Sequence, residues 1–257
     1  YDYSPLKGNP DVVDNSDINN PFPISKEYAQ ILKGPKNSEF TKMVTKHSPY
    51  SLQFRNYDEK LSTPTTFGTY ISNKFRDTLK CDIGICKNQH LREILPEKGK
   101  PINWYNIADA ANMDFGLYRI KDCSIELLKE IFEVSLQKQN MGLSNPTFLE
   151  YSDNLRVKRK ANSNEDEDKV LQIEIKENRE WVKLLDKDGK TKYPNRTFTI
   201  ATDRTLALSE RAEYLNLHFN AEPVDNITLR TLLADSLKNE TADPNEPNYH
   251  ASELISE

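Results

Sequence analysis

From Phe67 to Leu237 the chain switches repeatedly between two hydrophobic periods, and this alternation constrains the fold more than any other feature. In "TFGTYISNKFRDTLK" the apolar positions Tyr70, Ile71, Phe75 and Leu79 recur at helical spacing, with a start signal at 62–66. "CDIGIC" follows as a short, β-branched, buried strand. A short helix is predicted around 104–111, then a strand at "FGLYRI". "CSIELLKEIFEVSLQK" has the clearest helical pattern, with Ser124 as cap and Ile125, Leu128, Ile131, Phe132 and Leu136 in one stripe. "NLRVKRK" and "KVLQIEIK" read as strands joined by "ANSNEDED". "WVKLLDKDGKTKY" reads as a hairpin with Asp188 and Gly189 at its turn, and "TFTIAT" as a strand. Helices are predicted over 205–217 and 229–237, before an acidic tail. Helices, crossovers and hairpins in this order predict a single α+β domain with mixed β-sheets and flanking helices.

Residues 1–60 carry Pro5, Pro10, Pro21, Pro23, Pro35 and Pro49 among many Asn, Asp and Ser. They read as an extended connector or wrapping segment with one short helix near 25–32. The expected organisation is therefore 1–60 connector, 61–220 domain, and 221–257 terminal helix and acidic tail. The chain opens at Tyr1 without methionine, which suggests a processed or excised part of something longer.

Charge and glycine content narrow the functional classes. A net charge of −5 argues against nucleic acid or an anionic membrane as the main partner, and no apolar run is long enough to span a bilayer. The 257 residues include only 8 glycines, and neither G-x-x-x-x-G-K nor G-x-G-x-x-G occurs. Cys81 and Cys86 flank a predicted strand, where five residues separate them by roughly 16 Å, beyond the disulfide reach of about 7 Å. The cysteines are therefore read as buried thiols. Sequons at Asn195, Asn226 and Asn239 are no more frequent than composition predicts.

No catalytic constellation is visible. His47, His90, His218 and His250 fall in no compact metal motif, and H-E-x-x-H, C-x-x-C and G-x-S-x-G are absent. Catalytic and metal-ligating residues are therefore expected to be none in this chain. The stretch of interest is "DIGICKNQHLREILP", 82–96, where a strand ends in Lys87, Asn88, Gln89 and His90 before reaching Arg92. His90 is a candidate for an acid–base or metal role, or a structural histidine. Arg156, Lys158, Arg159 and Lys160 face the acidic run 165–168 across a loop, either as a solvated hairpin or as a phosphate site.

Five blocks in order, over about 65–220, resemble the C-terminal, substrate-binding domain of the 5'-nucleotidase and UDP-sugar hydrolase family. "TFGTYISNKFRDTLK" is similar to the family's Gly-Asn-Leu-Ile-Ala-Asp-Ala-Met helix. "DIGICKNQHLREILPEKGKPINWYNIADA" is similar to its strand, Asn-Gly-Gly-Gly-Ile-Arg loop and following segment. "FGLYRIKDCSIELLKEIFEVS", "TFLEYSDNLRVKRK" and "YPNRTFTIATDRTLA" resemble the later strand–helix, Phe-Leu-Gln-Val-Ser-Gly-Leu and Tyr-Thr-Val-Ala-Thr-Asn segments.

The resemblance implies a domain that clamps a nucleoside between two aromatic rings. An upstream metallophosphatase domain, with divalent metal ions, would hydrolyse the phosphate ester. Arg92 matches the loop arginine. Lys87 stands for the loop asparagine, and Asn88, Gln89 and His90 replace the three glycines, filling space that glycine leaves to ligand. Phe115 is the nearest aromatic to the first ring, one residue out of register, with Asp114 at the matched place. Tyr214 lies near the second, in "LSERAEY". The implied ligand-binding set is Arg92, Lys87, Asn88, Gln89, Phe115 and Tyr214, with changed or lost nucleotide specificity. Arg92 is alternatively a structural arginine pairing with Glu93 or Asp114. The functional expectation is the substrate-binding part of a 5'-nucleotidase-like metallophosphoesterase. The alternative is a noncatalytic interaction or scaffold domain. By resemblance the setting is secreted, periplasmic or vacuolar, the partner an upstream metallophosphatase domain, and the cofactor none in this chain.

Overall fold

The structure, a computed structural model, describes residues 41–52, 63–91, 95–111, 113–136, 148–160, 169–186, 188–210, 216–240 and 253–256. The predicted helix at 25–32 and the acidic run 165–168 lie outside these residues.

The architecture is α+β, as the alternation of periods predicts, and it is layered. A five-stranded mixed sheet forms the centre, from β2 (Ile83–Lys87), β4 (Gly116–Ser124), β5 (Leu149–Tyr151), β9 (Thr197–Asp203) and β10 (Asn220–Thr228). Its order is β10-β4-β9-β2-β5, and only the β2–β9 pair is parallel. On one face pack α1 (Thr66–Leu79), α2 (Trp104–Ala110) and α5 (Leu229–Asn239), with Phe67, Tyr70, Ile71, Phe75, Ile107 and Leu233 fully buried. On the other lies α3 (Ile125–Leu136). That helix is sandwiched against a second sheet of β6 (Leu155–Lys160), β7 (Lys169–Glu177), β8 (Glu180–Leu185) and β11 (Glu253–Ser256), in the order β11-β6-β7-β8. Alternation along the central strands divides the two cores: Ile83, Ile85, Ile120 and Ile200 turn toward α3, whereas Cys86, Leu117 and Ala201 turn toward α1 and α5. One small sheet, β1 (Met43–Thr45) with β3 (Ile102–Asn103), ties residues 41–52 to the second core through Val44 and Leu52.

Local chemistry sets the boundaries. Thr65, inside the predicted start signal, caps α1 by accepting from Gly68 N, and Ser124 Oγ accepts from Leu127 N at 3.1 Å at the head of α3. Gly84 faces α1 so closely that a Cβ there would lie 1.8 Å from the Ser72 carbonyl oxygen. The turn after β8 holds Gly189 at φ +69, but its return arm is a single bridge, Leu185 to Thr191, rather than a strand.

One predicted element is corrected. Among the described residues, the helix expected over 205–217 is α4 (Arg204–Ala207), four residues long, and breaks at 208–210; 211–215 lie outside the described residues. Ser209 takes a left-handed φ of 52 and its hydroxyl donates to the Leu217 carbonyl at 2.7 Å, so the chain turns away instead of continuing the helix.

Candidate functional site

The loop singled out in the sequence sits at one end of the central sheet, where several elements deliver polar groups together. β2 and β9 are parallel neighbours, so Lys87–His90 and Asp203–Thr205 emerge at the same end. β4 runs antiparallel to β9 and pairs Leu117 with Asp203, which brings Phe115 to that end as well. β5 contributes Glu150 opposite Cys86.

Lys87 ends β2, and Asn88–His90 form one 3-10 turn closed by Leu91 N donating to the Asn88 carbonyl. The side chains turn inward: Lys87 and His90 are 0 % exposed and Asn88 1 %, matched by Glu150 and Asp203 at 0 %. Buried charges survive only when paired or hydrogen-bonded, and two carboxylates do this here. Glu150 accepts from Thr65 N and Thr65 Oγ1, both at 2.9 Å, and from Asn88 Nδ2. It therefore pins the turn to the head of α1. Asp203 caps α4, accepting from Thr205 N at 2.9 Å and from the Thr205 hydroxyl.

The second Asp203 oxygen faces the turn. His90 Nδ1 lies 3.3 Å from Asp203 Oδ2, an ion-pair distance that falls short of a directional hydrogen bond, and Lys87 N donates to the same oxygen at 3.4 Å. Burial alone would raise the Asp203 carboxyl. The charge of His90, its approach, the Thr205 hydroxyl and the charge of Lys87 outweigh that and hold it well below the ordinary carboxylate range. His90 Nε2 is 3.5 Å from Thr205 Oγ1, and its ring lies 4.8 Å from the Phe115 ring, tilted by 53°. An Asp–His pair beside a hydroxyl has the members of a general-base relay, but here all three are enclosed, so what it does is hold two strand ends and a helix start together.

Of the expected ligand set, the structure brings together Lys87, Asn88, Gln89 and, through the His90 ring, Phe115. Lys87 and Asn88 are enclosed, whereas Gln89 and Phe115 are half-buried. Arg92 and Tyr214 lie outside the described residues. Asp114, considered as a partner for Arg92, accepts from Arg230 N at 3.1 Å at the start of α5. Asn88 Oδ1 has no partner among the described residues. Two surface clefts, one on the second sheet and one between β10 and α5, do not include the loop. Among the described residues no group of three or more His, Cys, Asp or Glu is arranged to hold a metal ion. No described helix is long and apolar enough to cross a membrane.

Sequence reasoning missed Glu150, Asp203 and Thr205, and read Thr65 only as part of a helix start. A charged residue inside the apolar strand "TFLEYS" and the "DRT" capping pattern were the available signals.

No protein-family model matches the sequence, and no curated protein matches it. The fold does recur among solved structures. A 5'-nucleotidase precursor from Thermus thermophilus superposes with a TM-score of 0.65 at 13 % identity, over 90 % of this chain and 43 % of the other. The NAD nucleotidase of Haemophilus influenzae gives 0.60 at 10 % identity, over 90 % and 41 %. A putative 5'-nucleotidase from Staphylococcus aureus gives 0.60 at 13 %, over 91 % and 44 %. The chain thus spans less than half the length of each of these three structures. At these identities the likeness is one of fold, and it agrees with the sequence blocks: the chain has the α+β fold of the 5'-nucleotidase C-terminal domain.

Proposed function

We propose that this chain is the C-terminal, substrate-binding part of a 5'-nucleotidase-like metallophosphoesterase that hydrolyses a phosphate ester. The observation that carries the reading is the fold likeness over about nine-tenths of the chain to less than half of several nucleotidases. Catalysis and the divalent metal ions would belong to a metallophosphatase domain outside these 257 residues. Residues 1–60 would connect the two, 61–220 bind the substrate, and 221–257 complete the domain's end. Gln89 and Phe115, the half-buried members of the set, would face the ligand with Arg92 and Tyr214. Lys87 and Asn88 would support the loop from behind.

A second reading is favoured by one specific observation. Lys87, Asn88 and His90 occupy the loop's interior and bind Glu150 and Asp203, which suits a noncatalytic scaffold or interaction domain that retains the fold. Calorimetric titration with adenosine and AMP, with Arg92→Ala alongside, separates the two. A Kd at or below about 100 μM, roughly 5.5 kcal/mol, weakened by the substitution, is the result expected of a substrate-binding domain. No heat from a folded chain would leave the scaffold reading in its place.

A further inference from the structure

The outer face of the second sheet carries a concentration of charge that the loop site does not use. Leu155, Val157, Ile173 and Ile175 turn inward against α3, so the alternating positions Arg156, Lys158, Gln172 and Glu174 stand on the opposite face. Lys183 pairs with Glu174 in register from β8, and the turn that follows brings Lys190 and Lys192 alongside. A cleft of about 380 Å³ opens there, lined by Lys158, Gln172, Lys183, Asp186, Lys190 and Lys192 over the aliphatic Leu171 and Leu184.

Among the described residues that line this cleft, four lysines stand against one carboxylate. Asp186 is the one carboxylate among the described lining residues, and its Oδ1 is turned to the backbone, accepting from Asp188 N and Lys190 N at 3.0 Å each. The Lys190 and Asp188 backbone donors, with the charges of Lys190 and Lys192, outweigh burial and hold its carboxyl below the ordinary range. Lys183, Lys190 and Lys192 are exposed. Because the chain as a whole carries −5, the positive cleft is a local arrangement and not a consequence of general basicity.

We propose that this cleft binds a small polyanion carrying two or more phosphate groups. Its volume lies within the range of small-molecule sites, about 300–1,000 Å³, and is far from an extended nucleic-acid track. Lysine ammonium groups present several donors each as compact point charges, which suits the distributed oxygens of linked phosphates. Gln172 at the same rim donates from its Nε2 to Glu174 and leaves the lysines as the donors that face the cleft. The assignment is independent of any nucleoside binding at the Lys87–His90 loop.

The test is calorimetric titration of the 257-residue chain with tripolyphosphate at about 0.15 M salt, where surface attraction is screened over roughly 8 Å. A triple variant, Lys183→Gln, Lys190→Gln and Lys192→Gln, is compared with a control that loses three charges elsewhere, Lys42→Gln, Lys46→Gln and Lys100→Gln. The expected result is one-to-one binding, weakened about tenfold or more by the cleft variant and within about twofold of normal in the control. Lysine acetylation of the unmodified chain, read by mass spectrometry, should show tripolyphosphate protecting Lys183, Lys190 and Lys192 while Lys42, Lys46 and Lys100 stay reactive. That second measurement stands even if the triple variant folds poorly. Equal weakening by both variants, or uniform protection, would reduce the effect to diffuse charge and overturn the proposal. So would an oligonucleotide that outcompetes tripolyphosphate at the same lysines.

Discussion

His90 Nδ1 stands 3.3 Å from Asp203 Oδ2, and neither side chain reaches solvent. The pair joins the end of β2 to the start of α4, and the Lys87 backbone N–H shares the same carboxylate oxygen. Removing the Asp203 carboxylate takes this opposite charge away from the enclosed Lys87 and this partner from the enclosed His90. Asp203→Asn should therefore cost about 3–5 kcal/mol of unfolding free energy, read as a lowered urea midpoint at unchanged slope. A loss below about 1 kcal/mol, the worth of one ordinary hydrogen bond, would mean that the carboxylate's charge is not what holds these elements.

The same carboxylate fixes a direction for acid stability. Its folded pKa lies below the unfolded value, so the stability it contributes is fully present above about pH 4 and drains away as pH falls further. Unfolding free energy measured from pH 6 down to pH 2 should fall steeply below about pH 4. In Asp203→Asn that fall should be shallower. Parallel curves for the two proteins would assign the acid sensitivity to other carboxylates.

Gly84 is expected to tolerate no side chain. A Cβ at this position would meet the Ser72 carbonyl oxygen at 1.8 Å and its carbon at 2.7 Å, both backbone atoms of α1. Gly84→Ala must push β2 and α1 apart at the centre of the molecule, at a cost of about 1–3 kcal/mol or more. Thermal denaturation followed by circular dichroism checks this, and a melting temperature equal to that of the natural chain would contradict the close approach.

The three thiols should separate by accessibility. Cys81 is half-buried, whereas Cys86 and Cys123 are enclosed, and burial pushes the Cys123 thiol up to about 12. Burial raises the Cys81 thiol as well, and thiolate is the reactive form, so it is partial exposure that should let a disulfide reagent at pH 8 label Cys81 slowly in the folded chain. Cys86 and Cys123 should react only after denaturant is added. Rapid labelling of Cys123 in the native state would contradict the packing around α3.

The elements that sequence made legible are those whose stabilisation is local. α1 and α3 carry an apolar stripe and a capping hydroxyl within one segment, and β2 and β9 are short β-branched runs. β10 was not legible: "NAEPVDNIT" contains a proline and few apolar residues, and it is a strand because β4 supplies the ladder. The break after α4 was not legible because 205–217 has helical composition, and the left-handed Ser209 that ends α4 has no composition signal. In the site, the polar cluster after β2 and the position of Phe115 could be read from the residues. That Lys87, Asn88 and His90 point inward could not, because Glu150 and Asp203, which neutralise and anchor them, lie in distant parts of the chain.

The pairing of β11 with β6 has a consequence for how the molecule is assembled. Glu253 lies beside Arg156 in a parallel ladder, nearly a hundred positions later in the chain. Closing so long a loop is slow relative to forming local contacts. During synthesis β6, β7 and β8 can associate early, but the outer rim of β6 stays unpaired until 253–256 leave the ribosome. An open rim is a template for strands of other chains. That stretch therefore acts as a late seal, and until it arrives the open rim of β6 leaves the nascent protein prone to self-association.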